Sequence, residues 1–177
     1  MRILSIRDKS KEEFQNALDL SKRGKYIDFR NSVKLVEKCQ TGDPENPRPF
    51  FAAALHKKVK DLFDEKYILK FFTATGGTHL DVCHGVDAFF KLYSRESGEE
   101  LAMATMDLTM NPGKTEATKA DILADIKTED YSKYDPSKGN EEFNKNFFND
   151  KIANLSQLVS YALVEDYKER NNIKEEE

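Results

Sequence analysis

The first third of the chain repeats apolar residues at helical spacing, with short breaks between the repeats. A capping box at Ser10 opens a predicted helix over residues 10–24. The same period returns over Phe29–Cys39 and predicts a second helix. Residues 42–49 hold three prolines within six positions, which no regular element tolerates, so this segment is predicted to be a loop. A third helix is predicted over residues 49–64, with a proline at its start.

After residue 64 the period changes from helical to alternating. Residues 67–75, 85–93 and 101–110 are rich in β-branched and aromatic side chains, and each is predicted to be a strand. The last two are joined by the polar segment 94–100, so they form a hairpin. Residues 120–126 fit either a short helix or a fourth strand.

A long helix is predicted from residue 141 to about residue 170, followed by a charged tail over residues 171–177. The chain has 177 residues, which suits one domain with a continuous core. The pattern therefore predicts a single α/β domain of the α+β type over residues 1–177. Its centre is a mixed sheet built on the β-hairpin, flanked by the N-terminal helices and by the long C-terminal helix.

The composition bears on cellular location and on the kinds of partner that this chain binds. No run of 18 apolar residues exists, so no membrane span is expected. The opening residues are charged too early for a secretory signal, and the two cysteines lack metal-ligand spacing, which indicates reduced thiols and a cytoplasmic location. The net charge is −4, which counts against tight unaided binding to nucleic acid.

The hairpin is the most informative segment. If its strands pair about residue 97, paired residue numbers sum to 194, and one face becomes entirely apolar. The pairs on that face are 86 with 108, 88 with 106, 90 with 104 and 92 with 102. The same register sets Asp87 opposite Asp107 on the other face. That second face also carries Phe89, Met103 and Tyr93, which predicts that another element covers it.

Two carboxylates opposed across a strand pair repel each other. At about 4 Å the repulsion is about 1 kcal/mol in water and about 4 kcal/mol at an effective dielectric of 20. A divalent cation converts this repulsion into coordination, and Mg²⁺ commonly uses one or two carboxylates with water and phosphate oxygens. Without a cation, the repulsion is lowered if one aspartate is protonated, or if both side chains turn into solvent as an ordinary exposed pair.

Two segments of the hairpin, residues 85–90 and residues 104–109, resemble the core of the PD-(D/E)XK nuclease superfamily, which has the restriction-endonuclease-like fold. The resemblance covers about residues 49–114. It implies that Asp87 and Asp107 are the first and second acids of the family motif and bind Mg²⁺ or Mn²⁺. It also implies a further acid near the end of the preceding helix, supplied by Asp61, Asp64 or Glu65.

The chain departs from this family pattern at one position. Thr109 stands where the motif places a lysine. Lys91, four residues after Asp87 and on the same face of the strand, is the first candidate to replace it, and Lys70 on the preceding strand is the second. The resemblance therefore implies a metal-dependent nuclease acting on DNA or RNA, with Asp87, Asp107, Lys91 and Thr109 at its centre and Glu65 as a further metal ligand.

The competing hypothesis is a nuclease-like fold without catalysis. Such a domain binds nucleic acid or assembles with a protein partner or a second copy of itself. The acidic net charge and the threonine at position 109 favour it. A separate metal site at His79, Asp81 and His84 is the weaker interpretation of that segment, because no fourth ligand has suitable spacing, and a polar loop leading into the hairpin fits better.

Overall fold

The computed structural model describes residues 26–74, 77–109, 119–125 and 145–173. The predicted helix over residues 10–24 and the end of the charged tail lie outside these ranges. Four helices and four strands are defined within them. The helices are α1 (Phe29–Cys39), α2 (Phe50–Lys60), α3 (His79–Val82) and α4 (Lys145–Arg170). The strands are β1 (Tyr67–Thr73), β2 (Ala88–Ser94), β3 (Glu100–Thr109) and β4 (Ile122–Asp125).

The strands form one mixed sheet in the order β1-β2-β3-β4. The first three strands run antiparallel to their neighbours, and β4 pairs in parallel with the end of β3. The prediction of an α+β fold with a mixed sheet is confirmed. The ambiguous segment 120–126 contains strand β4 rather than a helix.

The predicted hairpin register is also confirmed. Ala88 pairs with Met106, Phe90 with Ala104 and Leu92 with Ala102, so the paired numbers sum to 194 until a bulge at Tyr93. The strand begins three residues later than predicted, at Ala88. The backbone N–H of Val86 donates to the Leu80 carbonyl of α3 at 3.1 Å instead of joining the ladder. Val86 consequently packs on the opposite face from Ala88, contrary to the prediction.

Two apolar layers enclose the sheet. On one face, α2 and α4 pack against the side chains of Ala88, Phe90, Ala104 and Met106. On the other face, Val33 and Val36 of α1 cover the stacked rings of Phe72 and Phe89, whose centroids are 5.0 Å apart. The prediction that an element covers this second face is therefore confirmed.

Helices α1 and α2 show how local sequence sets their ends. The Asp28 side chain caps α1 by accepting the Asn31 N–H at 2.9 Å. Helix α2 ends at Lys60, not at residue 64 as predicted, because Leu62 and Phe63 turn back with hydrogen bonds to carbonyls three residues earlier. None of the helices in the described ranges has the length and apolar character that crossing a membrane requires.

Both edges of the sheet are partly closed by groups that are not strands. At the outer edge of β1, the Phe71 N–H donates to the Pro44 carbonyl at 2.8 Å and the Thr73 N–H to the Gln40 side chain at 3.3 Å. At the other edge, β4 pairs only with residues 106–109 of β3. Beyond it, the N–H groups of Met103 and Thr105 donate to the carboxylates of Asp166 and Asp121, at 2.6 and 2.7 Å.

Candidate active site

Asp87 and Asp107 meet at the end of the sheet where β2 begins. Asp107 lies within β3 and is only 2% exposed. Asp87 immediately precedes β2 and is held by its backbone, since its N–H donates to the Met106 carbonyl at 2.9 Å and its carbonyl accepts the Ala74 N–H at 2.7 Å. The Asp87 carboxylate accepts the Leu108 N–H at 2.7 Å. A side-chain oxygen of Asp87 therefore accepts the Leu108 N–H, which a backbone carbonyl would accept if β2 began earlier.

The electrostatics of Asp87 reflect this crowded position. Burial raises the pKa of its carboxyl to about 6, although the hydrogen bond from Leu108 acts in the opposite direction. The neighbouring carboxylates of Asp81 and Asp107 contribute to this raised pKa, and Asp107 lies within hydrogen-bonding reach of Asp87. Two acids predicted from the sequence are therefore brought together in a partly buried setting.

The third acid, Asp81, was not predicted as part of this group. It lies on the short helix α3, where the Thr78 side chain accepts its N–H at 3.2 Å and its own carboxylate accepts the Gly77 N–H at 3.1 Å. The sequence Thr-x-x-Asp is a capping pattern, and it could have indicated a helical turn in place of the predicted polar loop. The turn places Asp81 close enough to Asp87 to influence its titration.

The pair can be tested for its fit to a divalent cation. Two adjacent carboxylates are a suitable partial ligand set for Mg²⁺, which fills its other positions with water and substrate oxygens. Among the described residues, no three histidine, cysteine, aspartate or glutamate side chains are arranged to hold a metal ion. The site therefore fits a cation bound through two carboxylates, and not a cation enclosed by protein ligands.

Lys91 is not brought to the aspartates. It is buried on β2 four residues from Asp87, a separation of about 13 Å along an extended strand. Its ammonium group contacts the carboxylates of Glu37 on α1, at 2.5 Å, and Glu100 on β3, at 2.7 Å. The residue that sequence reasoning offered as a replacement lysine is thus engaged in an ion pair between three elements.

The remaining predicted residues are distributed around the sheet. Asp61, Asp64 and Glu65 lie between α2 and the start of β1, at the hairpin-turn end, where the Glu65 carbonyl accepts a hydrogen bond from Arg95. The seven residues of β1, roughly 23 Å of extended chain, separate this end from Asp87.

The other two residues proposed around the missing lysine also have defined positions. Lys70 lies over the Tyr93 ring at 4.9 Å and contacts Glu45 at 3.7 Å. Thr109 is buried at the end of β3 beside Asp125 of β4. Of these two, only Thr109 lies near the end of β3 that carries Asp107.

Comparison with protein-family models, with curated proteins and with solved structures finds no match for this chain. The resemblance to the PD-(D/E)XK nucleases therefore rests on the hairpin motif alone and stays a prediction.

Proposed function

We propose that this protein is a metal-dependent phosphodiesterase that hydrolyses DNA or RNA at the Asp87–Asp107 pair. The observation that carries the proposal is the contact between these two carboxylates, one buried in β3 and the other with a pKa raised to about 6. A carboxyl with a pKa raised in this way, in contact with a second buried carboxyl, is more typical of a functional site than of a structural one. The resemblance of the hairpin to the nuclease motif gives this site its reaction class.

In this proposal Asp87 and Asp107 hold Mg²⁺ or Mn²⁺, which would stabilise the charge developing on the phosphate and lower the pKa of a bound water. The protein supplies the orientation of both ligands. The Leu108 N–H fixes one oxygen of Asp87, and the β3 backbone fixes Asp107. Above about pH 6 Asp87 is ionised and ready to bind a cation, whereas at lower pH its proton opposes binding.

The second candidate is a nuclease-like scaffold without catalysis, acting as a binding or assembly module. The position of Lys91 favours it, because this lysine is held by Glu37 and Glu100 and not at the aspartates. Lys70 likewise contacts Glu45. In this alternative the carboxylate pair binds no catalytic metal, and it relieves its repulsion by protonation.

Cleavage assays separate the two candidates. Purified full-length protein is incubated with single-stranded and double-stranded DNA and RNA, in Mg²⁺, in Mn²⁺ and in EDTA. The nuclease proposal expects cleavage that EDTA abolishes and that Asp87→Asn and Asp107→Asn each reduce by at least about a hundredfold, since each removes a metal ligand. Both substitutions preserve shape and an acceptor oxygen, so the fold should persist.

Asp61→Asn is the matched control, because it removes one exposed carboxylate far from the pair. It should cleave like the unmodified protein, and circular dichroism should show the same fold for all four proteins. Absence of cleavage on every substrate in both metals would reject the nuclease proposal and leave the binding module. Retained cleavage in Asp87→Asn would show that the activity belongs to another site.

A further inference from the structure

The outer side of β3 is only partly occupied by β4. Strand β4 pairs with residues 106–109, and within the described ranges no strand pairs with the preceding residues of β3 on that side. The N–H groups of Met103 and Thr105 point outward there, because they alternate with the groups that bond to β2. Their acceptors are the Asp166 and Asp121 carboxylates.

These two carboxylates are held in fixed positions. Asp121 receives the N–H and the hydroxyl of Thr105 on its Oδ2 atom, both at 2.7 Å. The Oδ2 atom of Asp166 accepts the Met103 N–H at 2.6 Å and forms an ion pair with the Arg170 Nε at 2.8 Å. Because Met103 and Thr105 are two residues apart, the two N–H groups that these carboxylates accept are about 7 Å apart, the repeat of an extended chain.

A cleft of about 540 Å³ lies in front of these carboxylates. Tyr161, with 67% of its surface exposed, and Phe29 contribute aromatic surface to the cleft. Glu165 and Glu169 of α4 add further acidic groups, and Lys119 is the one basic residue of the described lining. Glu165 is paired with Lys168 and Asp166 with Arg170. Asp121 and Glu169 make no ion pair within the described ranges, so the cleft keeps an excess of negative charge.

We propose that this cleft binds an extended segment of a partner protein that carries lysine or arginine at alternate positions. Alternate side chains of an extended peptide project on one side at about 7 Å, which matches the spacing of the Met103 and Thr105 N–H groups to which Asp166 and Asp121 are bonded. Basic side chains would complement the negative charge, and their methylene stems would lie over the Tyr161 ring. The same charge repels phosphate, so this surface is distinct from a nucleic-acid site and does not depend on the proposed nuclease activity.

Fluorescence anisotropy with two labelled peptides tests the proposal on the full-length protein. One peptide has lysine at every second position with threonine between, and the other has the same composition with its lysines consecutive. The alternating peptide should bind about tenfold more tightly, since only it reaches both carboxylates at once. Its affinity should fall as salt increases. Equal affinity of the two peptides, or no binding of either, would overturn the proposal.

Three substitutions locate the binding. Asp121→Asn keeps an oxygen for the Thr105 N–H but removes the charge, and it should weaken the alternating peptide about tenfold. Glu169→Gln changes an exposed helix residue without disturbing the sheet edge, and it should weaken the peptide about threefold. Asp61→Asn removes an equal charge outside the cleft and should leave affinity unchanged. A uniform loss in all three variants would indicate nonspecific attraction and would contradict the proposal.

Discussion

Asp87 is subject to opposing influences on one carboxyl group. The Leu108 N–H stabilises its ionised form, while burial and the carboxylates of Asp81 and Asp107 stabilise its protonated form. The second group of effects is larger, and the pKa rises to about 6. At neutral pH Asp87 is therefore mostly ionised beside the Asp107 carboxyl, and the charge repulsion at this position lowers the stability of the fold unless a cation is bound.

We predict that Asp107→Asn stabilises the metal-free protein at neutral pH. The substitution removes one of the two charges, so the free energy of unfolding should rise by about 1 kcal/mol. Thermal melts in EDTA measure the change, with Asp61→Asn as a control for the loss of a solvent-exposed charge. A lower melting temperature for Asp107→Asn would show that the Asp107 carboxylate contributes more in hydrogen bonds than it costs in repulsion.

A second prediction concerns the pH dependence of stability. Because the pKa of Asp87 is raised from 3.8 to about 6 on folding, the folded state binds a proton more tightly than the unfolded state does. The contribution of Asp87 should therefore be most favourable below about pH 4 and should decrease as pH rises through about 6, by on the order of 1–2 kcal/mol after allowance for partial exposure. Above about pH 7, where Asp87 is ionised in both states, this contribution should be constant.

Urea denaturation of the unmodified protein and of Asp87→Asn, compared at each pH, isolates this contribution from other titrating groups. The asparagine keeps an acceptor for the Leu108 N–H but cannot ionise. The difference in unfolding free energy between the two proteins should change between about pH 4 and about pH 7 and then level off. A difference that is independent of pH across this window would contradict the raised pKa.

At the scale of elements, the hairpin could be predicted because its information is local. The period of two and the turn between the strands together specify the register that pairs Ala88 with Met106. The position of Val86 could not be predicted in the same way, since it depends on a hydrogen bond to Leu80 of α3. Asp81 differs, because its capping pattern is visible in the sequence, whereas the approach of this short helix to the strand end is not.

The surroundings of Lys91 show a different limit of sequence reasoning. Alternation placed Lys91 on the same face as Asp87, and four residues of extended strand already set them about 13 Å apart. It did not give the residues packed above Lys91. Glu37 comes from α1 and Glu100 from β3, and Arg170 of α4 pairs with Glu100 at 3.1 Å. These partners are 9 to 79 positions apart from Lys91 in sequence, so only the assembled layers identify them.

The ion pairs of Lys91 with Glu37 and Glu100 join β2 to α1 and β3, and they give a prediction about stability. Lys91→Met fills the same volume but leaves the partly buried carboxylates of Glu37 and Glu100 without their ammonium partner, and it should lower the free energy of unfolding by about 2 kcal/mol. Lys70→Met is the matched control, because the Lys70 side chain is 31% exposed and its loss should cost less than about 1 kcal/mol. Urea denaturation measures both variants.

Lys91→Met also tests whether Lys91 takes part in metal binding or cleavage at the Asp87–Asp107 pair. If Lys91 is structural, Lys91→Met should bind Mn²⁺ as the unmodified protein does, measured by calorimetry at a temperature where both are folded. A loss of cleavage with retained fold and retained Mn²⁺ binding would instead return Lys91 to the catalytic role that its position on the strand first suggested.

At the scale of the molecule, a sheet between two helical layers holds the aspartate pair at one end and the former helix-acid candidates at the other. A cation bound by Asp87 and Asp107 would connect the start of β2 to β3, and its binding energy would add to the stability of the whole fold. The stability of the protein therefore provides a readout of metal binding that does not require catalysis.

We predict that Mn²⁺ raises the melting temperature of the unmodified protein. At a concentration about a hundredfold above the dissociation constant, the added stability is about 2.7 kcal/mol. Asp87→Asn and Asp107→Asn should show little of this increase, while Asp61→Asn should show all of it. An equal increase in all four proteins would assign the Mn²⁺ effect to other residues, and no increase in any of them would count against a metal site at the pair.

The closure of the β1 edge has a consequence for how copies of this protein meet in concentrated solution. Unpaired strand edges recruit further strands, which is how many sheets begin to aggregate. Here the Pro44 carbonyl and the Gln40 side chain already accept the N–H groups of Phe71 and Thr73. A neighbouring molecule therefore finds few free donors on β1 with which to extend the sheet. The loop rich in proline thus helps to keep each folded molecule separate from its neighbours, and its loss should appear first as precipitation on concentration.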